Sequence, residues 1–185
     1  MDTPTIEVRK SLNEILTSRK DVVHLASQQR AKFEGWLKFE LAAALCNKGE
    51  FSNVTLEDGY LTQGRSDISF EHNGAKWFVE MKTANTNWRA AGVEKLTRPI
   101  TRNIRGIVED IMVLREKCAP AHGLAVFCIF PVPDFLWKNT RQKLNNHLRR
   151  IENEGGLPEN SVVEGAEFIE LTSNYGICTF ALEIL

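Results

Sequence analysis

Asp67 and the run Glu80-Met81-Lys82 stand on either side of Asn73-Gly74, a strong two-residue hairpin signal. With Asn73 and Gly74 as the turn, His72 pairs with Ala75, Glu71 with Lys76, Phe70 with Trp77 and Ser69 with Phe78. Ile68 then falls opposite Val79, and Asp67 opposite Glu80. Directly opposed residues share a face with side chains about 5 Å apart, so two carboxylates there repel unless something positive lies between them. Lys82 points to the same side. A divalent cation resolves the conflict, because two carboxylates, water and a phosphate oxygen make a hard-oxygen site of the magnesium type. A lysine beside it can orient or help deprotonate a water, or offset charge on a phosphorane-like transition state. The plainer alternative is the wet side of an amphipathic hairpin. It accounts for Glu71 opposite Lys76 but not for Asp67 opposite Glu80. The other face, Ile68, Phe70, Trp77, Val79 and Met81, reads as core.

A further acid is sought on a helix predicted over residues 27–47. Phe33, Trp36, Leu37, Leu41 and Ala44 span one face with Glu40 within it, and a carboxylate on a core face is costly unless paired or metal-bound. Glu34 sits at the stripe's edge between Arg30 and Lys38, where i,i+4 pairs would satisfy it, so Glu40 is favoured.

These groups need a scaffold, and hydrophobic periodicity outlines one. A short amphipathic helix is expected over 5–17, then the helix at 27–47 and a strand near 53–62. The hairpin arms 65–71 and 76–83 follow. Residues 84–99 read as loop, 100–118 as a second long helix closed by Pro120, and 123–131 as a strand buried on both faces. A basic helix at 138–153 and strands near 166–172 and 176–184 end the chain. Pro133-Asp134 reads as loop punctuation. A helix joining the hairpin to a buried strand predicts a right-handed crossover in a central mixed sheet flanked by helices, an α/β fold. Residues 1–26 read as an N-terminal helical extension and 27–185 as a single domain.

At 185 residues, 43% apolar and 25% charged, the composition is that of an ordinary globular protein. No apolar stretch approaches the roughly 20 residues of a membrane helix, and the N-terminus lacks a secretory core, so the expected location is cytoplasmic, without a membrane partner. Cys46, Cys118, Cys128 and Cys178 form no CxxC pair, and the four histidines show no zinc spacing. The net charge of -1 hides a gradient. From Lys82 to Arg105 one acid stands among six bases, and the stretch after Arg150 is acidic throughout.

Glu40 in a helix, Asp67 in Gly64-Arg65-Ser66-Asp67-Ile68 and Glu80-Met81-Lys82 after a hairpin together resemble the PD-(D/E)XK nuclease superfamily. With the following helix and apolar strand, the resemblance covers about residues 28–132. E-x-K alone is a weak motif; the ordered set is much stronger. Ser66 stands where that family often has proline. The resemblance implies an αβββαβ restriction endonuclease-like core and a Mg2+-dependent endonuclease, with Mn2+ able to substitute. Asp67 and Glu80 would bind the metal, with the Met81 carbonyl as an extra ligand. Lys82 would be the catalytic lysine and Glu40 the helix glutamate, with an activated water hydrolysing a phosphodiester. The expected partner is nucleic acid, above all double-stranded DNA, and a homodimer would suit double-strand cutting. In this reading Thr83, Asn85 and Asn87 donate to phosphates and Arg89, Lys95, Arg98 and Arg102 supply charge; Trp88 would stack on a base, the favoured alternative being a loop Trp folded back onto the core. The competing expectation is a non-catalytic nucleic-acid-binding or protein-interaction module that retains the fold.

Overall fold

Alternation on each side of Asn73-Gly74 produces an antiparallel hairpin in the expected register, from His72 opposite Ala75 to Ile68 opposite Val79. Both turn residues have positive φ, 52° at Asn73 and 77° at Gly74, which only such a pair adopts cheaply. The computed structural model describes residues 3–60, 63–95, 100–138 and 141–184. Its elements run α1 (Pro4–Ser18), α2 (Lys20–Gln28), α3 (Glu34–Cys46), β1 (Phe51–Leu56), β2 (Ile68–His72), β3 (Ala75–Asn85) and α4 (Thr101–Lys117). They continue with β4 (His122–Pro133), α5 (Asp134–Lys138), α6 (Gln142–Gly155), α7 (Ser161–Glu164), β5 (Glu167–Thr172) and β6 (Tyr175–Ile184).

The strands form one six-stranded sheet in the order β1-β2-β3-β4-β6-β5. Only β3 and β4 run parallel, joined through α4, and every other neighbouring pair is antiparallel. The fold is therefore α/β, a mixed sheet with helices on both faces. Strand β4 is buried from Gly123 to Pro133, as its unbroken apolar run requires. One face carries Ile68, Phe70, Val79 and Met81 against Leu12, Leu16, Leu37 and Leu41 of α1 and α3. The other carries Phe78, Phe127 and Phe180 against Ile104, Ile107 and Ile111 of α4 and Leu144 and Leu148 of α6. Among the described residues no helix is long and apolar enough to cross a membrane.

Several boundaries differ from expectation: α2 is not among the expected elements, β1 ends at Leu56 rather than near 62, β2 starts at Ile68 and β3 runs on to Asn85. Two further differences have a local reason. The helix expected over 27–47 starts only at Glu34, residues 27–28 closing α2 instead, and Arg30 takes a left-handed conformation (φ 54°) between the two. Its side chain turns away to bond the carbonyls of Thr86, Trp88 (2.8 Å) and Glu94 (2.7 Å). The basic helix expected over 138–153 starts only at Gln142 and ends on Gly156, whose left-handed φ of 61° gives a C-terminal cap. Asp134 opens α5, its amide donating to the Asn174 carbonyl at 2.9 Å.

Candidate active site

Strand β2 begins at Ile68, opposite Val79, so β3 runs on from Glu80 with β4 on one side and an open edge on the other. Carboxylates occupy that edge. The Asp67 amide donates to the Val79 carbonyl at 3.0 Å, and its Oδ2 accepts from the Met81 amide at 2.8 Å, so Asp67 straddles Glu80. One step further along, Glu34 Oε2 accepts from the Thr83 amide at 2.7 Å. A residue's N–H and C=O point to the same side of a strand, so the Met81 carbonyl faces the same edge as these two acids.

Three neighbours close the cluster. The Tyr60 hydroxyl donates to Glu80 Oε1, Lys82 Nζ pairs with Asp110 Oδ2 of α4 at 2.9 Å, and Lys38 Nζ reaches Asp67 Oδ1 at 3.4 Å while also pairing with Glu57. Gly106, one turn before Asp110, lies beside the lysine stem; a Cβ there would meet Lys82 Cε at 3.6 Å, an ordinary contact. Five carboxylates (Glu34, Glu57, Asp67, Glu80 and Asp110) thus gather around two ammonium groups, Lys38 and Lys82. Burial, then the charges of Asp67 and Asp110, push the Glu80 carboxyl up to about 8 against the opposing pull of the Tyr60 hydroxyl. Burial, with help from Glu34 and Asp67, lifts Asp110 to about 6 although Lys82 opposes it. For Lys82 burial works downward, but Asp110, then Glu34 and Asp67, outweigh it and hold the ammonium above its ordinary value. Burial and the adjacent Glu80 also raise the Tyr60 hydroxyl.

Asp67, Glu80, Met81 and Lys82 therefore lie together, but Glu40 does not join them. Its Oε1 accepts from Trp36 Nε1 at 3.1 Å. The buried stripe of α3 is Leu37, Leu41, Ala42 and Leu45; it shares Leu37 and Leu41 with the expected face but is centred away from Trp36 and Ala44, which are only partly buried against the core. That offset turns Glu34 and Lys38 inward and leaves Glu40 at the border. Glu34 is the helical acid at the cluster, and the Arg30 pair assigned to it does not form, since Arg30 lies outside the helix. Asp110 and Tyr60 were missed. Asp110 could have been found as a carboxylate bordering the stripe of Ile107, Ile111 and Leu114 on α4. Tyr60 arrives through the loop after β1, where Gly59 bridges Arg65, and no sequence pattern marks it.

The residues assigned to phosphate contact separate into two groups. Thr83, Asn85 and Trp88 are 1%, 6% and 4% exposed, so in this conformation none offers its side chain to a ligand. Asn85 Nδ2 donates to the Arg30 carbonyl at 2.9 Å. Trp88 is packed in the core beneath His147, with ring centroids 5.9 Å apart, rather than presented for stacking on a base. Asn87, Arg89 and Lys95 line a cavity of about 340 Å3 with Arg30 and Glu94. Arg102 lines a second one, of about 240 Å3, that reaches Lys82. Arg98 lies outside the described residues.

Among the described residues no three carboxylate, imidazole or thiolate groups converge as a preformed metal cage. The donors at the β3 edge still fit magnesium, which needs only one or two carboxylates and leaves its other positions to water and substrate phosphate. Asp67, Glu80 and the Met81 carbonyl are all hard oxygen donors; the upward push on Glu80 comes first from burial and only then from the charges of Asp67 and Asp110. Compared with protein-family models, with curated proteins and with solved structures, the chain matches none.

Proposed function

We propose that this chain is a Mg2+-dependent nuclease of the PD-(D/E)XK type that hydrolyses phosphodiester bonds, with double-stranded DNA as its first-choice substrate. One observation carries the reading: Asp67 is seated on the Met81 amide beside the half-buried Glu80, with Lys82 two residues further on. The element order α3-β1-β2-β3-α4-β4 supports it, being the αβββαβ order the resemblance implies. Asp67 and Glu80, with the Met81 carbonyl, would hold Mg2+. When bound, the metal would polarise the phosphoryl group and acidify a water. Lys82, kept as an ammonium by its acidic surroundings, donates to the attacking water or to the phosphoryl oxygens and offsets their charge. Asp110 positions the Lys82 amine, and Glu34 fixes the open edge of β3 by holding the Thr83 amide.

The test is cleavage of supercoiled and linear DNA with and without Mg2+, alongside Asp67→Asn and Lys82→Met. Wild-type protein should cut only with the metal. Asp67→Asn should also lose Mg2+ binding in calorimetry, whereas Lys82→Met should bind Mg2+ but not cut. A second reading, a nucleic-acid-binding module without catalysis, draws on the closed state of the cluster, where Tyr60 occupies Glu80 and Asp110 occupies Lys82. It predicts DNA binding that Asp67→Asn leaves intact and no Mg2+-dependent cutting by the wild type.

A further inference from the structure

Beside Lys82 lies the cavity of about 240 Å3, walled by Lys32 from the link between α2 and α3 and by Arg102, Asn103, Arg105 and Glu109 of α4. Its lining is mostly polar, which suits a hydrated or charged group better than an apolar side chain. The cations around it are unequally matched. Lys82 pairs with Asp110 at 2.9 Å and Arg105 with Glu109 at 3.3 Å. Asn103 is turned away, its Nδ2 donating to the Asn85 carbonyl at 2.7 Å. Lys32 and Arg102 have no carboxylate partner among the described residues, although they are brought to one hollow from separate parts of the chain. Two cations without carboxylate partners in one polar concavity favour a positive potential there, and a tetrahedral oxyanion is the ligand that matches it in charge and hydrogen-bonding capacity.

We propose that this cavity is a phosphate subsite, which takes the substrate-strand phosphate next to the one presented to Lys82, with Lys32 and Arg102 as the cations that hold it. The inference rests on the nuclease reading and adds to it a positioning role for Lys32, a residue outside the β3 motif. Seating the neighbouring phosphate fixes the strand's register, so that the reacting phosphate meets Lys82 rather than sliding past it. The cavity of about 340 Å3 beside Arg89 and Lys95 is a separate hollow and is not needed for this step.

The experiment uses the full chain carrying Asp67→Asn, to remove cleavage, and a fluorescein-labelled 20-base-pair duplex as probe. Dissociation constants are measured from 50 to 300 mM NaCl for this parent and for versions that add Lys32→Gln, Arg102→Gln or the charge-preserving Arg102→Lys. Lys32→Gln and Arg102→Gln should each weaken binding about five- to ten-fold at 0.1 M salt and lower the slope of log K against log salt by about one, since a protein that neutralises one phosphate fewer releases about one counterion fewer. Arg102→Lys should keep most of the slope. Both side chains are exposed, so melting temperatures should stay at the parent's value. Parent-like affinity and slope in both glutamine variants overturns the subsite, as does failure of the parent to bind the duplex. Cutting by the protein with Asp67 restored separates the two ideas. Slope changes without Mg2+-dependent cutting retain the phosphate pocket and discard the nuclease. Cutting with unchanged slopes, and with KM and kcat unmoved by Lys32→Gln, discards the pocket alone.

Discussion

Glu34 and Glu40 stand on the same short helix, and the choice between them turns on which face of α3 is buried. Glu34 Oε2 satisfies the Thr83 amide, which β3 offers on its open edge, whereas Glu40 bonds only its helical neighbour Trp36. Removing an acceptor from a half-buried amide costs about 1–3 kcal/mol, because the donor loses its partner without regaining water. Glu34→Ala should therefore lower the urea-derived stability by an amount in that range, and should disturb Mg2+-dependent cutting more than its effect on folding explains. Glu40→Ala should stay within about 0.5 kcal/mol of the wild type, as a border residue with one local hydrogen bond does. Equal losses in the two variants would contradict the assignment of Glu34. Of the site itself, Asp67, Glu80 and Lys82 were legible, because strand alternation and the Asn73-Gly74 turn fix their relation within one hairpin. Glu34, Lys38, Asp110 and Tyr60 were not assigned to it, since each reaches the site from another element and depends on how that element is rotated.

At the scale of elements, periodicity located every strand of the sheet and the long helix α4, but it missed α2 and the short helices α5 and α7, and it placed the start of α3 too early. Arg30 carries the helical period of its neighbours yet serves as a clasp for the carbonyls of Thr86, Trp88 and Glu94, a long-range role that no window of sequence reveals. The junction between α1 and the end of α3 is similar in kind. Lys48, just beyond α3, meets Glu7 of α1 at 2.7 Å, and Lys10 adds a second ion pair at 2.9 Å. The hydrogen bond from Lys48, then that from Lys10, brings the Glu7 carboxyl down from 4.5 to about 2. A carboxyl depressed in the folded state stabilises fully above its unfolded value of 4.5, and the contribution is lost as pH falls towards about 2. For a pair this near the surface the stabilisation is on the order of 1 kcal/mol. Glu7→Gln should thus be less stable than wild type by about that much at neutral pH. The two proteins should converge as the pH falls through about 2, below which both carry a neutral side chain at position 7. Denaturant titrations across the acid range measure this directly, and a gap that persists at the lowest pH would assign the loss to packing instead.

Across the whole molecule, the first helix and the last strand are bound into one core. Val8, Leu12 and Leu16 of α1 are completely buried in the cluster that also holds Ile68, Phe70 and Val79 of the hairpin. Polar interactions cross the same seam: the Thr179 hydroxyl donates to Asn13 at 2.8 Å, Arg9 pairs with Glu167 at 2.9 Å, and the Tyr175 hydroxyl lies 3.0 Å from His24 Nδ1. Each wholly buried aliphatic side chain contributes about 1.5–3 kcal/mol, so three of them approach the 5–15 kcal/mol on which a domain of ordinary stability rests. The sequence marks α1 as amphipathic but does not say what covers its apolar face, because that partner, β6, is among the last elements of the chain. Deleting residues 1–18 should therefore do more than trim an appendage. It should expose the sheet face behind the hairpin and loosen the strands that carry Asp67 and Glu80. The truncated protein should lose near-UV circular dichroism, bind a hydrophobic dye and show no Mg2+-dependent cutting. The point variant Leu12→Ala, which leaves a cavity rather than a missing layer, should keep its fold while losing about 2–5 kcal/mol. A truncated chain that unfolds as cooperatively as the intact one would show that the sheet and the site stand without α1.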